Sequence, residues 1–332
     1  MKNAFITGIS GQIGSYLAEL LLANGYEVHG LVRRNATIST RNLDGIYGNP
    51  SLHLHYGDIC DPGLSRLLRI ICPTEVYHLA ASSHVRYSFD VPVQAVDVTA
   101  MGTLHLLEAC RHESWAKDAR IYVMCSSEMF GDKDAPQHEE TELSPRSPYA
   151  AAKVFSYHMA KMYREAYNMN VCCGIVFNTE SPRRDPRFVT RKITQTLARI
   201  ACGLEEKLVL GNMNPSRDWM HAEDCVRGIY AIMQHPTPDD FVLGSGRPHS
   251  VYDFYLTAHE FFQAHGLPNT HTMLEYAAKY DRPLEVSCLQ ADPEKARSKL
   301  KWASQISFDD LIQQMCTHDL NLAQQEAARV KK

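Results

Sequence analysis

The stretch AFITGISGQIGS, which begins at Ala4, decides the fold class. Its first four residues predict a short buried strand, and an amphipathic helix is predicted over Gln12–Ala23. Gly8-x-x-Gly11-x-x-Gly14 lies between them. Glycines at such a turn let the backbone approach a phosphate, and the helix N-terminus offers unpaired N–H groups. The same glycines also fit an ordinary tight turn, but their position between strand and helix favours a dinucleotide-binding site.

Strand-like and helix-like segments alternate through the first half of the chain. This alternation predicts an α/β fold, a doubly wound parallel Rossmann sheet with helices on both faces. The further predicted strands are Tyr26–Val32, His53–Tyr56, Glu75–Leu79, Arg120–Cys125 and Val171–Phe177. The further predicted helices are Pro62–Ile71, Val93–Cys110 and Ser147–Tyr167.

The pattern changes after Asn178, where helices and short strands mix without regular alternation. We predict a Rossmann domain over residues 1–178, to which elements near 216–245 return, and a smaller mixed α/β substrate-binding lobe over residues 179–330. The polar tail, Gln324–Lys332, is expected to fray. The predicted elements of this part are Thr190–Cys202, Leu208–Leu210, Phe241–Gly246, Val251–His265 and Phe308–Ala323.

Composition narrows the class of protein. The chain has 332 residues, 45% of them hydrophobic and 22% charged, with a net charge of −4. These values are ordinary for a globular protein and give no broad basic field for nucleic acid. No apolar run reaches the roughly 20 residues that span a bilayer. The ten cysteines form no CxxC pair and no signal peptide is evident, so we expect reduced thiols and a cytoplasmic location.

No metal site is expected from the sequence. The sixteen histidines are scattered, and His138-Glu139-Glu140 lies in a polar loop without the ligand spacing of a metal centre.

Two arginines at the end of the second predicted strand indicate the cofactor. An NAD site usually has an acidic residue there, about 20 residues after the glycines, but this chain has Arg33 and Arg34. A guanidinium group binds a 2′-phosphate bidentately, so the pair predicts NADP, although arginine pairs are also common on solvated surfaces. Asp58 is expected near the adenine, or alternatively as a turn cap. The small residues of Leu79-Ala80-Ala81 either let the cofactor pass or simply pack.

Tyr149 and Lys153 are the predicted centre of the chemistry. Four residues apart, they share one face of a helix, and a nearby ammonium is expected to lower the pKa of the phenol from about 10. The tyrosine can then take a proton from a sugar hydroxyl while hydride leaves the same carbon, and Ser126 can hydrogen-bond that hydroxyl. Glu128 is a second acid/base that simple alcohol oxidation does not need, so it indicates an elimination.

Several stretches between Gly8 and about Asp319 together resemble one family. They are GISGQIGSYLAELLL, YEVHGLVRR, GDICD, SSEMFG, SPRSPYAAAK, NTESPRR, FVTRKIT, SRDWMHAED and RPLEV, the last beginning at Arg282. In these stretches the chain resembles the GDP-mannose 4,6-dehydratases, within the extended short-chain dehydrogenase/reductase superfamily. The resemblance implies a lyase of deoxysugar biosynthesis that acts on a GDP-sugar through bound NADP.

The same resemblance implies roles for individual residues. Ser126 stands where the family has a catalytic threonine, and Glu128, Tyr149 and Lys153 match unchanged. Arg217 and Arg282 are expected near the substrate diphosphate, although each could instead form a local salt bridge. The expected cofactor contacts are Gly8, Gly11, Gln12, Ile13, Gly14, Arg33, Arg34, Asp58, Ile59, Leu79, Ala81, Tyr149, Lys153, Asn178 and Arg184. The expected substrate contacts are Ser83, Glu180, Val189, Lys192, Asn212, Arg217, Arg282 and Glu285.

Departures from the family pattern leave alternatives open. Ile13 replaces an acidic residue, Thr179 a histidine and Ser82 a glutamine, and Asp185-Pro186-Arg187 alters another segment. The alternatives are dehydration of another GDP-sugar such as a GDP-heptose, an NADP-dependent 4-keto-sugar-nucleotide reductase or epimerase, and a non-catalytic NADP-binding regulatory protein. The family's loop after the double arginine reaches a neighbouring subunit, which implies a homotetramer, but here the loop Asn35–Asp44 is shortened.

Overall fold

A computed structural model describes residues 2–33, 40–267 and 273–330. Arg34 and the first part of the loop Asn35–Asp44 therefore lie outside the described residues. The strands are β1 (Asn3–Thr7), β2 (Glu27–Val32), β3 (Leu52–Tyr56), β4 (Glu75–His78), β5 (Arg120–Ser126), β6 (Asn170–Val176), β7 (Asn178–Glu180), β8 (Leu208–Leu210), β9 (Ser216–His221), β10 (Asp240–Leu243), β11 (Pro248–Ser250), β12 (Leu274–Tyr276) and β13 (Cys288–Leu289).

The helices connect these strands. They are α1 (Gln12–Ala23), α2 (Gly63–Ile71), α3 (Val85–Asp90), α4 (Pro92–Val96), α5 (Gly102–Arg111), α6 (Pro148–Tyr167), α7 (Val189–Ala201), α8 (Ala222–Gln234), α9 (Val251–Gln263), α10 (Glu294–Leu300) and α11 (Phe308–Val330). Among the described residues, none of these helices is both long enough and apolar enough to cross a membrane.

The main sheet has the predicted doubly wound parallel architecture. In the described residues its order is β10-β6-β5-β4-β1-β2-β3, and every neighbouring pair is parallel. The chain first adds strands on one side of β1 and then returns to the other side with β4. The carboxyl ends of β1 and β4 therefore form the switch point at which such sheets bind ligands.

Alternation along β1 separates the two layers that cover the sheet. Ala4 and Ile6 belong to one apolar cluster with Leu17 of α1 and Ile229 of α8. Phe5 points to the other face, into a cluster with residues of α2, α5 and α6. Successive strand residues face opposite sides, so a strand covered on both faces is apolar throughout.

A third apolar cluster lies outside the main sheet. It joins α7, α9 and α11 to β8 and to Trp219 of β9. Around it, β9 pairs with β7, β11 and β13, and β8 pairs with β12. The exact division of the chain into residues 1–178 and 179–330 stays a prediction.

Two predicted helices differ in the structure. The single helix predicted over Val93–Cys110 is divided into α4, a wide π-helical turn at Asp97–Met101, and α5. The expectation that Gln324–Lys332 frays is wrong as far as Val330, to which α11 continues. Glu326 of this last part pairs with Arg199 of α7, and its alanines, glutamines and arginine are good helix formers.

Candidate active site

The glycine turn between β1 and α1 is closed around backbone atoms. Gly8 has a φ of +73°, and a Cβ there would lie 3.0 Å from the Ala80 nitrogen at the end of β4. A Cβ on Gly14 would lie 2.3 Å from the Gly8 oxygen, which already accepts the Gly11 N–H at 3.0 Å. The first turn of α1 carries no acidic side chain. A cradle that only glycine fits, facing a positive helix end, suits the phosphates of a dinucleotide.

Neighbouring predicted cofactor residues surround this turn. Leu79 and Ala80 each donate a backbone N–H to Thr7 Oγ1 at 3.1 Å, which fixes the end of β4 beside β1. Gln12 is held by the segment after β6, because its Nε2 donates to the Thr179 oxygen at 2.9 Å and its Oε1 accepts from Ser181 at 2.8 Å. Ile13, the second residue of α1, is half-buried against neighbouring apolar side chains. Ala81 and Asn178 are also half-buried.

The structure describes only some of the residues that are expected at the adenine and its ribose. Arg33 is exposed at the end of β2, and Arg34 lies outside the described residues. Asp58 caps its own turn, since Oδ1 accepts the Cys60 N–H at 2.9 Å. Ile59 is only 4% exposed and packs against Gly102 of α5. Their contacts with a cofactor stay predictions.

The four predicted catalytic side chains come from two adjoining elements. β5 ends at Ser126, whose Oγ accepts the Glu128 N–H at 3.3 Å and so caps the short 3-10 helix that carries Glu128. Ser147 caps α6 by accepting the Ala150 N–H at 3.0 Å. Tyr149 lies in the first turn of α6 and Lys153 one turn later. The Ser126 hydroxyl and the Glu128 carboxylate both lie near enough to Tyr149 to act on the pKa of its phenol, which Ser126 lowers and Glu128 raises.

Burial dominates the electrostatics of Tyr149 and Lys153. It raises the pKa of Tyr149, opposed by the hydrogen bond to Ser126 and by the charge of Arg184. It lowers the pKa of Lys153 to about 8. The expectation of a lowered pKa for Tyr149 is wrong for the chain's own groups, because burial outweighs the contributions that oppose it. The Lys153 Nζ donates to the Met124 oxygen at 2.5 Å and lies 6.0 Å from the centre of the tyrosine ring.

Ion pairs connect the Glu128 carboxylate to the second part of the chain. Arg282 Nη1 lies 3.1 Å from Glu128 Oε1 and 3.4 Å from Glu285 Oε1. Arg217, of which 4% is exposed, donates to the same Glu285 oxygen at 3.0 Å and to the Val286 oxygen at 2.9 Å. Two guanidinium groups and two carboxylates therefore alternate in one network, from Glu128 through Arg282 and Glu285 to Arg217.

A cavity of about 620 Å³ continues from these ion pairs. Asn212, Arg282 and Glu285, three of the predicted substrate contacts, line it together with Asp281. Asp281 Oδ1 accepts the Asn212 N–H at 2.8 Å, which ties the two walls together. This volume lies within the usual range for small-molecule sites.

Glu180 and Arg184 form a second buried group at the same edge. Glu180 Oε2 accepts from Thr190 Oγ1 at 2.7 Å and lies 3.2 Å from Arg184 Nε. Burial raises the pKa of Glu180, and Arg184 opposes this rise. The Arg184 guanidinium also stacks 3.5 Å from the centre of the Phe188 ring.

The remaining predicted substrate residues lie farther out. Ser83 is exposed, Val189 is exposed at the start of α7, and the Lys192 ammonium lies 3.5 Å from the centre of the Tyr280 ring. Tyr280 was not predicted from the sequence, because nothing local marks an aromatic residue as the partner of a lysine 88 positions earlier in the chain.

A buried polar chain beneath the site was also missed. Thr7 Oγ1 lies 2.9 Å from His78 Nδ1, and His78 Nε2 lies 3.0 Å from Thr103 Oγ1. Thr103 in turn lies 2.9 Å from Ser156 of α6. Burial, with a contribution from the charge of Lys153, lowers the pKa of His78 to about 3, so the ring is neutral. This row of hydrogen-bonded side chains connects the end of β1 to the helix that carries Tyr149 and Lys153.

Comparisons with known proteins agree with this arrangement. The family model of GDP-mannose 4,6 dehydratase matches residues 5–315. The GDP-mannose 4,6-dehydratase of Vibrio cholerae is 44% identical over 98% of this chain and 96% of that protein. GDP-mannose 4,6 dehydratase 1 of Arabidopsis thaliana is 45% identical over 98% and 91% of the respective chains. A dTDP-glucose 4,6-dehydratase from Streptomyces venezuelae, solved with NAD, has a TM-score of 0.84 and 26% identity over 95% of this chain and 96% of its own. The chain therefore belongs to the GDP-mannose 4,6-dehydratase family.

Proposed function

We propose that this chain is an NADP-dependent 4,6-dehydratase that converts GDP-mannose to GDP-4-keto-6-deoxymannose and water. The observation that carries the proposal is the convergence of Ser126, Glu128 and Tyr149 at one edge of the sheet, with Arg282 reaching Glu128 from the second part of the chain. The relatives from Vibrio cholerae and Arabidopsis thaliana bear the name of this activity and align along nearly the whole chain.

The residues present fit a nicotinamide dinucleotide. The glycine turn would receive the pyrophosphate, and Tyr149 and Lys153 would hold the nicotinamide ribose. Arg33, with Arg34 outside the described residues, would receive the 2′-phosphate that distinguishes NADP from NAD. When bound, the cofactor would supply internal transfer of a hydride from C4 to C6 of the hexose, so that no net oxidation would occur.

The chain's own groups move the protons. Tyr149, as a phenolate that the nearby Lys153 ammonium supports, takes the proton of the C4 hydroxyl, which Ser126 orients, and becomes a neutral phenol. Because the pKa of Lys153 is about 8, the ammonium is the dominant form at neutral pH. The buried tyrosine needs this support, since burial by itself favours the neutral phenol.

Glu128 carries out the elimination. Once C4 is a ketone, the C5 proton is acidic, and Glu128 removes it and gives it to the departing C6 hydroxyl, which leaves as water. C5 then takes up a proton from solvent or a neighbouring acid, which balances the proton that Tyr149 took from the C4 hydroxyl and later releases. A 4-keto reductase needs no such base, so Glu128 favours dehydration over reduction.

Arg217 and Arg282 are suited to the substrate diphosphate. Both guanidinium groups border Glu285, and Arg282 also lines the cavity that extends from Glu128. A diphosphate placed there brings the attached hexose toward Glu128 and Tyr149. We assign the nucleotide to this cavity.

Thr179 and Ser82 are the two departures from the family pattern that are expected nearest the sugar, and they differ in how directly they can alter its binding. Thr179 is 4% exposed, and its hydroxyl donates to the Phe177 oxygen at 3.3 Å, so this side chain supports the backbone of β7. Ser82 is half-buried, and its N–H donates to Thr99 at 3.2 Å. Its side chain is therefore the better candidate for altered contacts with the hexose.

We also infer a homo-oligomeric, cytoplasmic enzyme. The loop that reaches a neighbouring subunit in the family falls partly outside the described residues, so the tetramer stays a prediction. In its described part, Asn42 Nδ2 donates to the Ser10 oxygen at 3.0 Å, which anchors the loop to the glycine turn of its own chain.

A panel of sugar nucleotides tests the proposed function. The protein is incubated with NADP and with GDP-, dTDP-, UDP- or CDP-sugars, and 4-keto products and NADPH are measured. We expect a 4-keto-6-deoxy product from GDP-mannose without net formation or consumption of NADPH. Stoichiometric consumption of NADPH with a keto-sugar, or no turnover of any GDP-sugar, contradicts the proposal.

A further inference from the structure

Four polar side chains gather on one face of β2 and β3, and Glu27, His29 and His53 belong to the amino-terminal halves of these strands. Glu27 and His29 are two residues apart on β2 and therefore face the same side. His53 of β3 lies directly opposite His29 in the parallel register. His55 follows two residues later on the same face. The proposed chemistry uses none of them.

The ligand atoms of three of these residues converge. Glu27 Oε1 lies 2.9 Å from His53 Nε2 and 3.7 Å from His29 Nε2. One ligand atom from each of the three lies within 4.8 Å of the other two, which holds for no other His, Cys, Asp or Glu trio among residues 2–33, 40–267 and 273–330. In tetrahedral zinc sites, bonds of about 2.0–2.2 Å separate neighbouring ligand atoms by roughly 3.3 Å. The two measured distances lie on either side of this value.

His55 orients the central ligand. Its Nε2 lies 3.0 Å from His29 Nδ1, and the two rings stack with their centres 5.3 Å apart. We assign the proton of this hydrogen bond to His29 Nδ1, which leaves the Nε2 lone pair directed toward Glu27. The two acceptors, His29 Nε2 and Glu27 Oε1, then face each other at 3.7 Å. A cation between them stabilises this arrangement. Histidine ligands of metals are commonly held in this way through their second nitrogen.

The protonation and exposure of the cluster suit a metal ligand set. Burial, together with the neighbouring His53 and His55, lowers the pKa of His29 to about 4, so its ring is neutral at pH 7. The His29 side chain is 14% exposed, whereas those of His53 and Glu27 are 41% and 38% exposed. Solvent can therefore reach the site and fill a fourth position.

We propose that Glu27, His29 and His53 form a binding site for a divalent transition metal of the zinc class, with His55 as the residue that positions His29. Nitrogen and carboxylate donors of this kind are typical of Zn²⁺, whereas Mg²⁺ and Ca²⁺ prefer sets made only of oxygen. The metal joins β3, the edge strand of the main sheet, to β2. It acts on the stability of this edge and not on the dehydration.

No local pattern in the sequence marks this site. Its ligands follow a Glu-x-His pattern on one strand and lie opposite a histidine 24 positions later, so only the strand register brings them together. The prediction of no metal site was based on spacing along the sequence, as in His138-Glu139-Glu140. Such spacing does not reveal ligands that are brought together by pairing across strands.

Cobalt and zinc titrations of the full-length protein test the proposal. Co²⁺ is the spectroscopic probe, because thiolate ligands add intense charge-transfer absorption that nitrogen and oxygen ligands lack. Zn²⁺ binding is measured by calorimetry and by the rise in Tm. We expect one site per chain with nitrogen and oxygen ligands, lost in His53→Gln and in Glu27→Gln. His55→Gln should weaken Zn²⁺ binding about 10- to 100-fold, the usual effect of losing an orienting partner.

His138→Gln is the matched control, because it removes an exposed histidine beside two glutamates and should leave binding unchanged. The glutamate variant keeps the test decisive if the histidine variant fails to fold. No zinc-induced rise in Tm, a thiolate spectrum, or equal affinity in wild type, His53→Gln and Glu27→Gln would each overturn the proposal. Unchanged dehydratase activity of a folded His53→Gln supports a structural metal site separate from catalysis.

Discussion

Gly14→Ala tests the phosphate turn with a single added methyl group. The new Cβ would lie 2.3 Å from the Gly8 oxygen and 2.7 Å from the Ile9 Cα, where ordinary contacts begin near 3.4 Å. Both neighbours are backbone, so the turn itself must open by about 1 Å. Overpacking of this kind costs typically 1–3 kcal/mol, whereas alanine in a helix gains about 1 kcal/mol over glycine.

The expected net loss of stability is therefore about 0–2 kcal/mol. With roughly 2.1 cal/mol/K of unfolding entropy per residue over 332 residues, a loss of 2 kcal/mol lowers Tm by about 3 °C. The larger effect falls on cofactor binding, because the displaced N–H groups no longer face the pyrophosphate. A cost of 1.4 kcal/mol in the bound state alone weakens binding tenfold, and we expect at least that for NADP.

The assays are calorimetric titration with NADP and thermal unfolding. Gly45→Ala is the control, because a Cβ there meets nothing within 4 Å and its φ is unstrained. We expect Gly45→Ala to bind NADP as the wild type does. NADP affinity of Gly14→Ala equal to that of the control would refute the assignment of this turn to the cofactor phosphates.

Three further predictions concern single groups. Glu128→Gln should reduce the rate of dehydration by roughly 10²- to 10⁴-fold and abolish exchange of the C5 proton with solvent. Glu140→Gln, in an exposed turn, is the control and should do neither. Normal turnover by Glu128→Gln would remove that residue from the mechanism. Lys153 has a pKa of about 8 in the folded protein against 10.5 for an ordinary lysine, so its burial destabilises the fold fully below pH 8 and progressively less up to pH 10.5. The free energy of unfolding of Lys153→Met, measured by urea unfolding relative to the wild type, should thus fall by about 3 kcal/mol between pH 7 and 10.5. Leaving the Met124 oxygen unpaired adds a cost that does not depend on pH. A difference between variant and wild type that stays constant with pH contradicts the lowered pKa. Asp319→Ala should cost about 3–5 kcal/mol in the free energy of unfolding, because it leaves the buried Arg191 guanidinium without the carboxylate now 2.8 Å from its Nε; a cost below 1 kcal/mol by urea unfolding would show that the pair is not effectively buried.

The elements that could be predicted are those specified by local pattern. The helix Gln12–Ala23 and the strand Leu208–Leu210 have the predicted bounds, and β1 to β6 differ by one residue at their ends. β10 ends three residues before the end of the predicted element Phe241–Gly246. These segments carry long apolar runs or stand directly beside glycines. The candidate catalytic side chains were predicted on the same basis, since Tyr149 and Lys153 share a helix and Ser126 ends a strand.

The features that were missed depend on contacts between distant parts of the chain. β13 has two residues and exists because it pairs with β9, some 70 positions earlier. The pKa of Tyr149 depends on burial, which the spacing from Lys153 does not reveal. The contact between Arg282 and Glu128 spans 154 positions, and no pattern within either segment predicts it.

Deuterium at C4 of GDP-mannose gives the most direct test of the central claim, that one site both moves hydride and eliminates water. The product is analysed by NMR after turnover with unlabelled NADP. The account predicts deuterium at C6 of the 4-keto-6-deoxy sugar, with none left in the cofactor pool. Deuterium that accumulates in NADPH, or a 4-keto product with only hydrogen at C6, would contradict internal return of the hydride.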